Sequence, residues 1–280
     1  MCSSVNEYPH IGTNIDKQQV DWLRYCDYGR FIPILYVSTT GGVSNRILGL
    51  ASCMAKAILE KREVVTYWPL NGSDGTSVRW NDIFTDKIHL FSEWDLYWMM
   101  DVMHDVRWYD QAMSAYSQVD TTNIVLVKSS YDFFAQSDKG HPLFDHSWAI
   151  RWLKSLTIQP AITSQVKAFG LKENTLGVHL RVGEAAFSDS LFVHDPITNE
   201  LCDRIRRWSG EVLVVSNCEK SKLRLCDMFP GKVIMQKCIK YDRTSSGTQS
   251  AMVDLLLLSK CVERVGNHSS TFFKLANYLA

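Results

Sequence analysis

The sequence predicts an α/β protein with two Rossmann-like domains facing a cleft. Three observations support this fold class. Short apolar segments alternate with amphipathic segments, both before residue 70 and after residue 160. Glycine or hydroxyl residues lie where a predicted strand passes into a helix, and the 280-residue length exceeds what one hydrophobic core usually organises. Alternating strands and helices are typical of parallel sheets covered on both faces. We predict domains at 1–158 and 159–280.

The first strand–helix–strand unit lies before residue 70. Residues 31–37 form a short apolar run, which predicts a buried strand. Residues 45–61 carry apolar side chains every three or four positions, which predicts a helix. Residues 62–68 predict a second strand, ended by a Pro-Leu-Asn-Gly turn.

A tryptophan-rich stretch follows, from residue 80 to residue 152. Residues 123–128 predict a strand inside it. Indole rings can stack on sugars, but they more often pack in a core, and packing is our interpretation here.

The second half returns to regular alternation. The predicted strands are 175–182, 211–216, 232–236 and 261–265, and the predicted helices are 197–208, 219–228, 249–260 and 270–279.

The charge balance argues against nucleic acid or a membrane as the partner. Thirty basic residues match thirty acidic ones, and the isoelectric point is near 7.1. Proteins that bind polyanions usually show a basic bias. No apolar run reaches the ~20 residues that span a bilayer, so we expect no membrane insertion and a soluble, cytoplasmic protein.

The first candidate site is Gly41, Gly42, Asn45 and Arg46, between the first strand and its helix. Glycines allow a sharp turn, and the amide groups of a helix start can hold an anion. The alternative is a plain strand-to-helix turn with Arg46 on the surface or in an ion pair. The glycine spacing differs from the dinucleotide-binding pattern, and the second strand ends without an acidic residue, which argues against a Rossmann oxidoreductase or methyltransferase.

The second candidate site follows the strand at 175–182. His179 and Arg181 lie on one face of that strand, near its carboxyl end, where ligands of open α/β sheets bind. A guanidinium there suits a diphosphate, and Glu184 just beyond could serve as a general base. The alternative is a strand end with an exposed ion pair.

The third candidate site is in the C-terminal block. Asp254 is the one charged residue in an apolar helical stretch, and a buried carboxylate needs hydrogen-bond donors. Ser269, Ser270 and Thr271 open the last predicted helix, where hydroxyl and amide groups can bind phosphate oxygens. Helix capping by Ser269 or Ser270 is the alternative.

Taken in order, the three blocks resemble the fucosyltransferase clan that includes core α1,6-, nodulation and protein O-fucosyltransferases. The likeness rests on Gly-Gly-x-x-Asn-Arg, His-x-Arg, and Asp-x-x-x-Leu-Ser followed by Gly-x-x-Ser-Ser. It implies a GT-B fold, inverting transfer without a divalent metal, and a nucleotide-sugar donor held by the C-terminal half.

The resemblance also implies site roles. Arg181 would contact the donor pyrophosphate, with His179 and Ser216 beside it. Asp254 would read the nucleobase edge, and the hydroxyls of Ser269, Ser270 and Thr271 would hold phosphate. Glu184 would be the base, with Asp189 and Asp195 as alternatives.

One position departs from the clan. Its members usually carry two adjacent arginines where this chain has Arg181 and Val182. The length, the missing anchor and this motif resemble the small chlorovirus-encoded glycosyltransferases that build capsid glycans. That likeness favours UDP-xylose as donor and a fucose-bearing glycan as acceptor. The alternatives are a GDP-fucose-dependent fucosyltransferase and a non-catalytic binding module that keeps the fold.

Overall fold

A computed structural model describes residues 33–37, 42–68, 77–90, 106–110, 124–128, 147–182, 196–237, 242 and 244–280. Within these ranges the chain forms seven α-helices, nine strands and one short 3-10 turn. The strands make two sheets in which every pairing is parallel. The predicted α/β class is confirmed.

The first sheet has the strand order β3-β2-β1-β5-β4. Its strands are β1 (Pro33–Val37), β2 (Glu63–Tyr67), β3 (His89–Leu90), β4 (Val106–Asp110) and β5 (Ile124–Lys128). Helix α1 (Val43–Glu60) connects β1 to β2 and packs on both. The predicted strand–helix–strand unit therefore forms.

The second sheet has the strand order β8-β7-β6-β9. Its strands are β6 (Leu176–Leu180), β7 (Val212–Ser216), β8 (Val233–Ile234) and β9 (Glu263–Gly266). The remaining helices are α2 (Ser147–Ser155), α3 (Pro160–Phe169), α4 (Asn199–Arg207), α5 (Glu219–Met228), α6 (Ser245–Lys260) and α7 (Thr271–Leu279).

Two hydrophobic clusters cover the faces of the second sheet. Leu176, Val178 and Leu180 point to the face that α4 and α5 cover. The opposite face of β7 joins a larger cluster that includes α6, α7 and α1. Residues of β6 alternate between these faces, so His179 lies on the side of α6 and α7.

Helix α7 packs on α1 and α2, while α3 packs on α6. The helices thus connect residues on both sides of the predicted boundary between 158 and 159. The boundary itself stays a prediction. In the described part of the chain, no helix is long and apolar enough to cross a membrane.

Side-chain packing accounts for the tryptophans that can be placed. Trp80 is buried, lies edge-on to Trp68 and contacts Phe84 at a ring-centroid distance of 4.3 Å. Trp148 and Trp152 of α2 lie against the larger cluster. These rings belong to the core, as the sequence suggested.

Candidate functional site

The candidate site lies at the carboxyl edge of the second sheet. His179 of β6 is in register with Gly266 of β9, and Leu180 is in register with Ser216 of β7. The segments that follow these strands therefore leave the sheet at the same edge. Arg181 comes directly after β6, and the turn leading into α7 comes directly after β9.

His179 is held in an aromatic stack at this edge. Its ring lies 5.4 Å from Phe272 and 5.7 Å from Phe273, centroid to centroid, and the side chain is only 5% exposed. Burial, with a smaller contribution from the Arg181 charge, lowers the pKa of His179 to about 3. The imidazole is therefore neutral at physiological pH. Its Nδ1 atom has no hydrogen-bond partner among the described residues.

Close packing of β9 on β6 requires a glycine at position 266. A Cβ atom there would lie 2.9 Å from the Cβ of His179 and 2.9 Å from two ring carbons of Phe273. These separations are well below the 3.5–4.0 Å at which carbon atoms usually pack. Gly266 thus allows the start of α7 to lie directly against His179.

Arg181 is half-buried and lies close enough to His179 to influence its titration. The next residue, Val182, is fixed by Asn217. The Val182 amide donates to Asn217 Oδ1 at 3.0 Å, and Asn217 Nδ2 donates to the Val182 carbonyl at 2.9 Å. The residue after Arg181 is thus aliphatic, and its backbone is held by two hydrogen bonds with the Asn217 side chain.

The start of α7 leaves hydroxyl groups at the same edge. Ser270 is the N-cap residue, but its side chain makes no capping hydrogen bond to the helix. Asn267 orders the preceding turn, accepting from the Ser269 amide at 2.8 Å and from the Ser270 amide at 3.0 Å. The Ser270 side chain therefore does not cap α7, which was the alternative role that the sequence suggested for it. Ser269 is exposed.

The first and third candidate sites meet. Thr271 Oγ1 of α7 donates a hydrogen bond to Asn45 Oδ1 of α1. Gly42 is the exposed N-cap of α1, and its carbonyl accepts from the Asn45 amide at 3.0 Å and the Arg46 amide at 3.3 Å. The start of α1, at Gly42 and Asn45, therefore lies near the start of α7.

One of our two interpretations of this turn had Arg46 on the surface or in an ion pair. The surface position is wrong. The side chain is completely buried, and its guanidinium lies 5.5 Å from the centre of the Trp68 ring. Attraction between a cation and the face of an indole ring stabilises such a placement. Arg46 thus packs in the core beneath the helix start.

Ser216 ends β7 and is almost fully buried. Its hydroxyl accepts a hydrogen bond from the Cys218 amide at 3.0 Å, which shapes the turn into α5. This local role accounts for one lone pair of the oxygen, and a hydroxyl can make further hydrogen bonds.

Asp254 is buried in α6, and a lysine that the sequence did not single out influences its titration. Asp254 is 3% exposed, and burial raises the pKa of its carboxyl to about 7, against the opposing influence of Lys222. Lys222 of α5 is fully buried, and burial lowers its pKa, while Asp254, Glu219 and Cys226 raise it. Sequence reasoning missed Lys222, which lies in a run of charged residues typical of a solvated helix face.

Some predicted residues lie outside the described ranges: Gly41, Glu184, Asp189 and Asp195. Within the ranges that are described, no group of three or more His, Cys, Asp or Glu side chains could hold a metal ion.

Comparison with known proteins gives structural matches only. No protein-family model matches the chain, and no curated protein does. The structure is similar to that of NodZ α-1,6-fucosyltransferase co-crystallised with GDP, with a TM-score of 0.61 and 13% identity over 88% of this chain and 92% of that one. A further crystal structure, of fucosyltransferase NodZ from Bradyrhizobium, gives a TM-score of 0.59 at 14% identity, with the same coverage of both chains.

Two other fucosyltransferases share the architecture. A variant of Arabidopsis thaliana FUT1 in complex with GDP gives a TM-score of 0.57 at 14% identity, over 92% of this chain and 72% of that one. POFUT1 in complex with GDP gives 0.53 at 12% identity, over 88% of this chain and 94% of that one. At such identities the likeness concerns the fold: the chain has the GT-B-type α/β fold of these fucosyltransferases.

Proposed function

We propose that this protein is an inverting glycosyltransferase that uses a nucleotide-sugar donor and needs no divalent metal. The observation that carries the proposal is the meeting of His179, Arg181 and the start of α7 at one edge of the second sheet. The structural neighbours NodZ, FUT1 and POFUT1 were all crystallised with GDP, which supports a nucleoside diphosphate as the ligand.

The chemistry of this edge suits a diphosphate. Arg181 supplies a permanent positive charge and a planar set of N–H donors. Ser269 and Ser270 supply hydroxyls, and the first amides of a helix have no partner within the helix. The neutral His179 can form a hydrogen bond with the diphosphate through its Nδ1 atom, without adding charge to the site.

The transfer step follows from these roles. An acceptor hydroxyl oxygen attacks the anomeric carbon, and the bond from that carbon to the β-phosphate oxygen breaks with inversion. The proton of the hydroxyl passes to a carboxylate, for which Glu184 is our candidate, with Asp189 and Asp195 as alternatives. The departing electron pair stays on the diphosphate, where Arg181 and the α7 start stabilise the charge.

Two donors are candidates, and GDP-fucose has the stronger support. The neighbours include NodZ soaked with GDP-fucose, whereas no comparison supports our sequence-based preference for UDP-xylose. One local observation keeps UDP-xylose as the second candidate. Val182, fixed by Asn217, replaces the second arginine that fucosyltransferases usually offer to the donor.

The test is a donor screen with the purified chain. GDP-fucose and UDP-xylose are each incubated with the protein, with and without EDTA and with glycan acceptors, and released nucleoside diphosphate is measured. We expect release from one donor, unchanged by EDTA and faster with an acceptor that bears a suitable hydroxyl. Slow release without acceptor would already argue against a non-catalytic binding module.

The result that contradicts the proposal is binding of nucleotide without turnover of either sugar. Arg181→Ala serves as the negative control, and the exposed Arg206→Ala as the matched control, since Arg206 lies on α4 and contacts Asp203 at the surface. An equal loss of donor turnover in both variants would show that the activity does not depend on the site around Arg181.

A further inference from the structure

Asn217 is a half-buried residue just after β7, and the proposed transfer step does not use it. Its side-chain amide makes two hydrogen bonds with one residue of the neighbouring chain segment. Asn217 Oδ1 accepts from the Val182 amide at 3.0 Å, and Asn217 Nδ2 donates to the Val182 carbonyl at 2.9 Å. A single side chain thus satisfies both backbone groups of Val182.

These two bonds continue the pairing of β6 with β7 beyond the last paired residue of each strand. In a parallel pair, every second residue directs its backbone groups to the same neighbouring strand. The Leu176 amide donates to the Glu211 carbonyl at 3.0 Å, so Leu176 and every second residue after it, up to Val182, direct these groups toward β7. The Asn217 side chain therefore takes the place of the backbone groups that a longer β7 would offer to Val182.

The turn from β7 into α5 fixes Asn217 itself. Ser216, before it, is almost fully buried, and its hydroxyl accepts from the Cys218 amide at 3.0 Å. Cys218 is the N-cap residue of α5 and has an extended backbone. The backbone on both sides of Asn217 is thus ordered independently of Val182, which lowers the entropic cost of the two bonds to Val182.

The strand conformation decides which face of the sheet Arg181 occupies. The even-numbered residues of β6 belong to the hydrophobic cluster that α4 and α5 cover. His179, an odd-numbered residue, stacks on Phe272 of α7 on the other face. Because Val182 continues the strand, alternation places Arg181 on the α7 face as well, roughly 6–7 Å beyond His179.

We propose that Asn217 is a positioning residue for Arg181: by extending the sheet to Val182, it keeps the Arg181 guanidinium on the α7 side of β6, directed at the diphosphate. This inference rests on the proposed function for the presence of a diphosphate. Without the two hydrogen bonds, the chain can leave the strand direction directly after Leu180, and Arg181 then adopts orientations away from α7. The charge stays in the protein, but its position no longer matches that of the diphosphate.

The experiment is a double-mutant cycle on the turnover of GDP-fucose or UDP-xylose, whichever the wild type uses, with Asn217→Ala, Arg181→Ala and the double variant. We expect Asn217→Ala to lower kcat/KM by about 10–100-fold in the wild type. In the Arg181→Ala background, the same change should lower kcat/KM by less than about twofold, because a positioning residue acts only through the residue it positions.

A spectroscopic readout accompanies the cycle. Addition of pyrophosphate should shift the Arg181 Nε–H resonance of the wild type, and saturating pyrophosphate should shift it much less in Asn217→Ala. Asn174→Ala is the matched control. Asn174 is exposed, precedes β6 at the opposite edge of the same sheet, and donates to Ser209 Oγ at 3.2 Å. This variant should keep the kcat/KM and the Arg181 resonance of the wild type.

An unchanged kcat/KM in Asn217→Ala would overturn the inference. So would an equal loss in the wild-type and Arg181→Ala backgrounds, or an unaltered Arg181 resonance, since either would show an effect that does not pass through Arg181. If Asn217→Ala does not fold, Asn217→Ser takes its place, because one hydroxyl oxygen cannot occupy both positions of the planar amide.

If the wild type turns over neither donor, the proposed function fails instead. The role of Asn217 is then tested in the ligand-free protein, by amide hydrogen exchange at Val182 and by the position of the Arg181 Nε–H resonance. We expect the Val182 amide to exchange about tenfold faster in Asn217→Ala than in the wild type, and the Arg181 resonance to move. Either readout unchanged would overturn the inference.

Discussion

Replacing Gly266 by alanine should disturb the candidate site through packing alone. The new methyl carbon would lie 2.9 Å from the His179 Cβ and from two ring carbons of Phe273. Reaching an ordinary carbon contact requires both neighbours to move by roughly 0.6 Å. Neither is the flexible tip of a long side chain, so β6 and α7 must both move away from β9. Overpacking of this kind costs about 1–3 kcal/mol of the free energy of unfolding.

A matched substitution separates stability from function. Gly177→Ala places a methyl 2.6 Å from Leu258 Cδ1 and 3.0 Å from Cys261 Sγ, on the neighbouring strand β6 and further from the carboxyl edge. We expect both variants to lose stability in urea denaturation. Because a misplacement of about 1 Å can cost about 100-fold in rate, only Gly266→Ala should lower the transfer rate, by about 10–100-fold.

Two outcomes would contradict this close packing at Gly266. One is a Gly266→Ala protein with wild-type stability, which would show that β9 does not pack on β6 as closely as described. The other is an equal loss of transfer rate in both variants, which would show that the effect comes from general destabilisation.

Three further predictions concern single side chains. Arg181→Ala should lower kcat/KM by about 100–1000-fold with an unchanged circular dichroism spectrum, and a loss below about tenfold would remove Arg181 from the diphosphate site. Burial and the Arg181 charge lower the pKa of His179 to about 3 in the folded protein. As the pH falls below 6.5, the imidazole therefore binds a proton in the unfolded chain before it does so in the folded protein. The stability of the wild-type protein should decrease as the pH falls through this range. In His179→Phe this part of the fall should disappear from urea titrations across that range, and an identical slope would contradict the buried neutral imidazole. Thr271→Val removes the hydrogen bond to Asn45 and should cost about 1 kcal/mol of stability. Adding Asn45→Ala to that variant should cost less than it does in the wild type, and strict additivity would show that the two side chains do not interact.

The sequence was most informative where periodicity was regular. Helix α5 was predicted at its observed bounds. Helix α1 was predicted within two residues, because its apolar positions recur on one face. Strand β4 was missed, since its Val-Arg-Trp-Tyr-Asp alternation lies among other aromatic and charged residues. Strand β3 has two residues, too few to form a pattern.

Helices α2 and α3 were also missed. In the structure Pro160 is the first residue of α3, a position at which proline is favourable because the first amides of a helix need no partner. Proline therefore marks the start of a helix that the sequence did not predict.

For the candidate site, too, some residues could be placed from the sequence and others could not. Residues that follow strands, such as Arg181, could be predicted because parallel strands end at a common edge. Arg46 and Lys222 could not be placed, because a charged residue on an amphipathic helix usually faces solvent. Only tertiary packing, against Trp68 in one case and near Asp254 in the other, reveals that they are buried.

The central claim is that His179, Arg181 and the start of α7 bind one diphosphate. The most direct measurement is a titration of isotope-labelled protein with GDP and, separately, UDP, followed by backbone amide chemical shifts. We predict the largest shifts at Arg181, Ser270 and Thr271, with pyrophosphate reproducing them. Shifts confined to the first sheet, or none with any of the three ligands, would contradict the account.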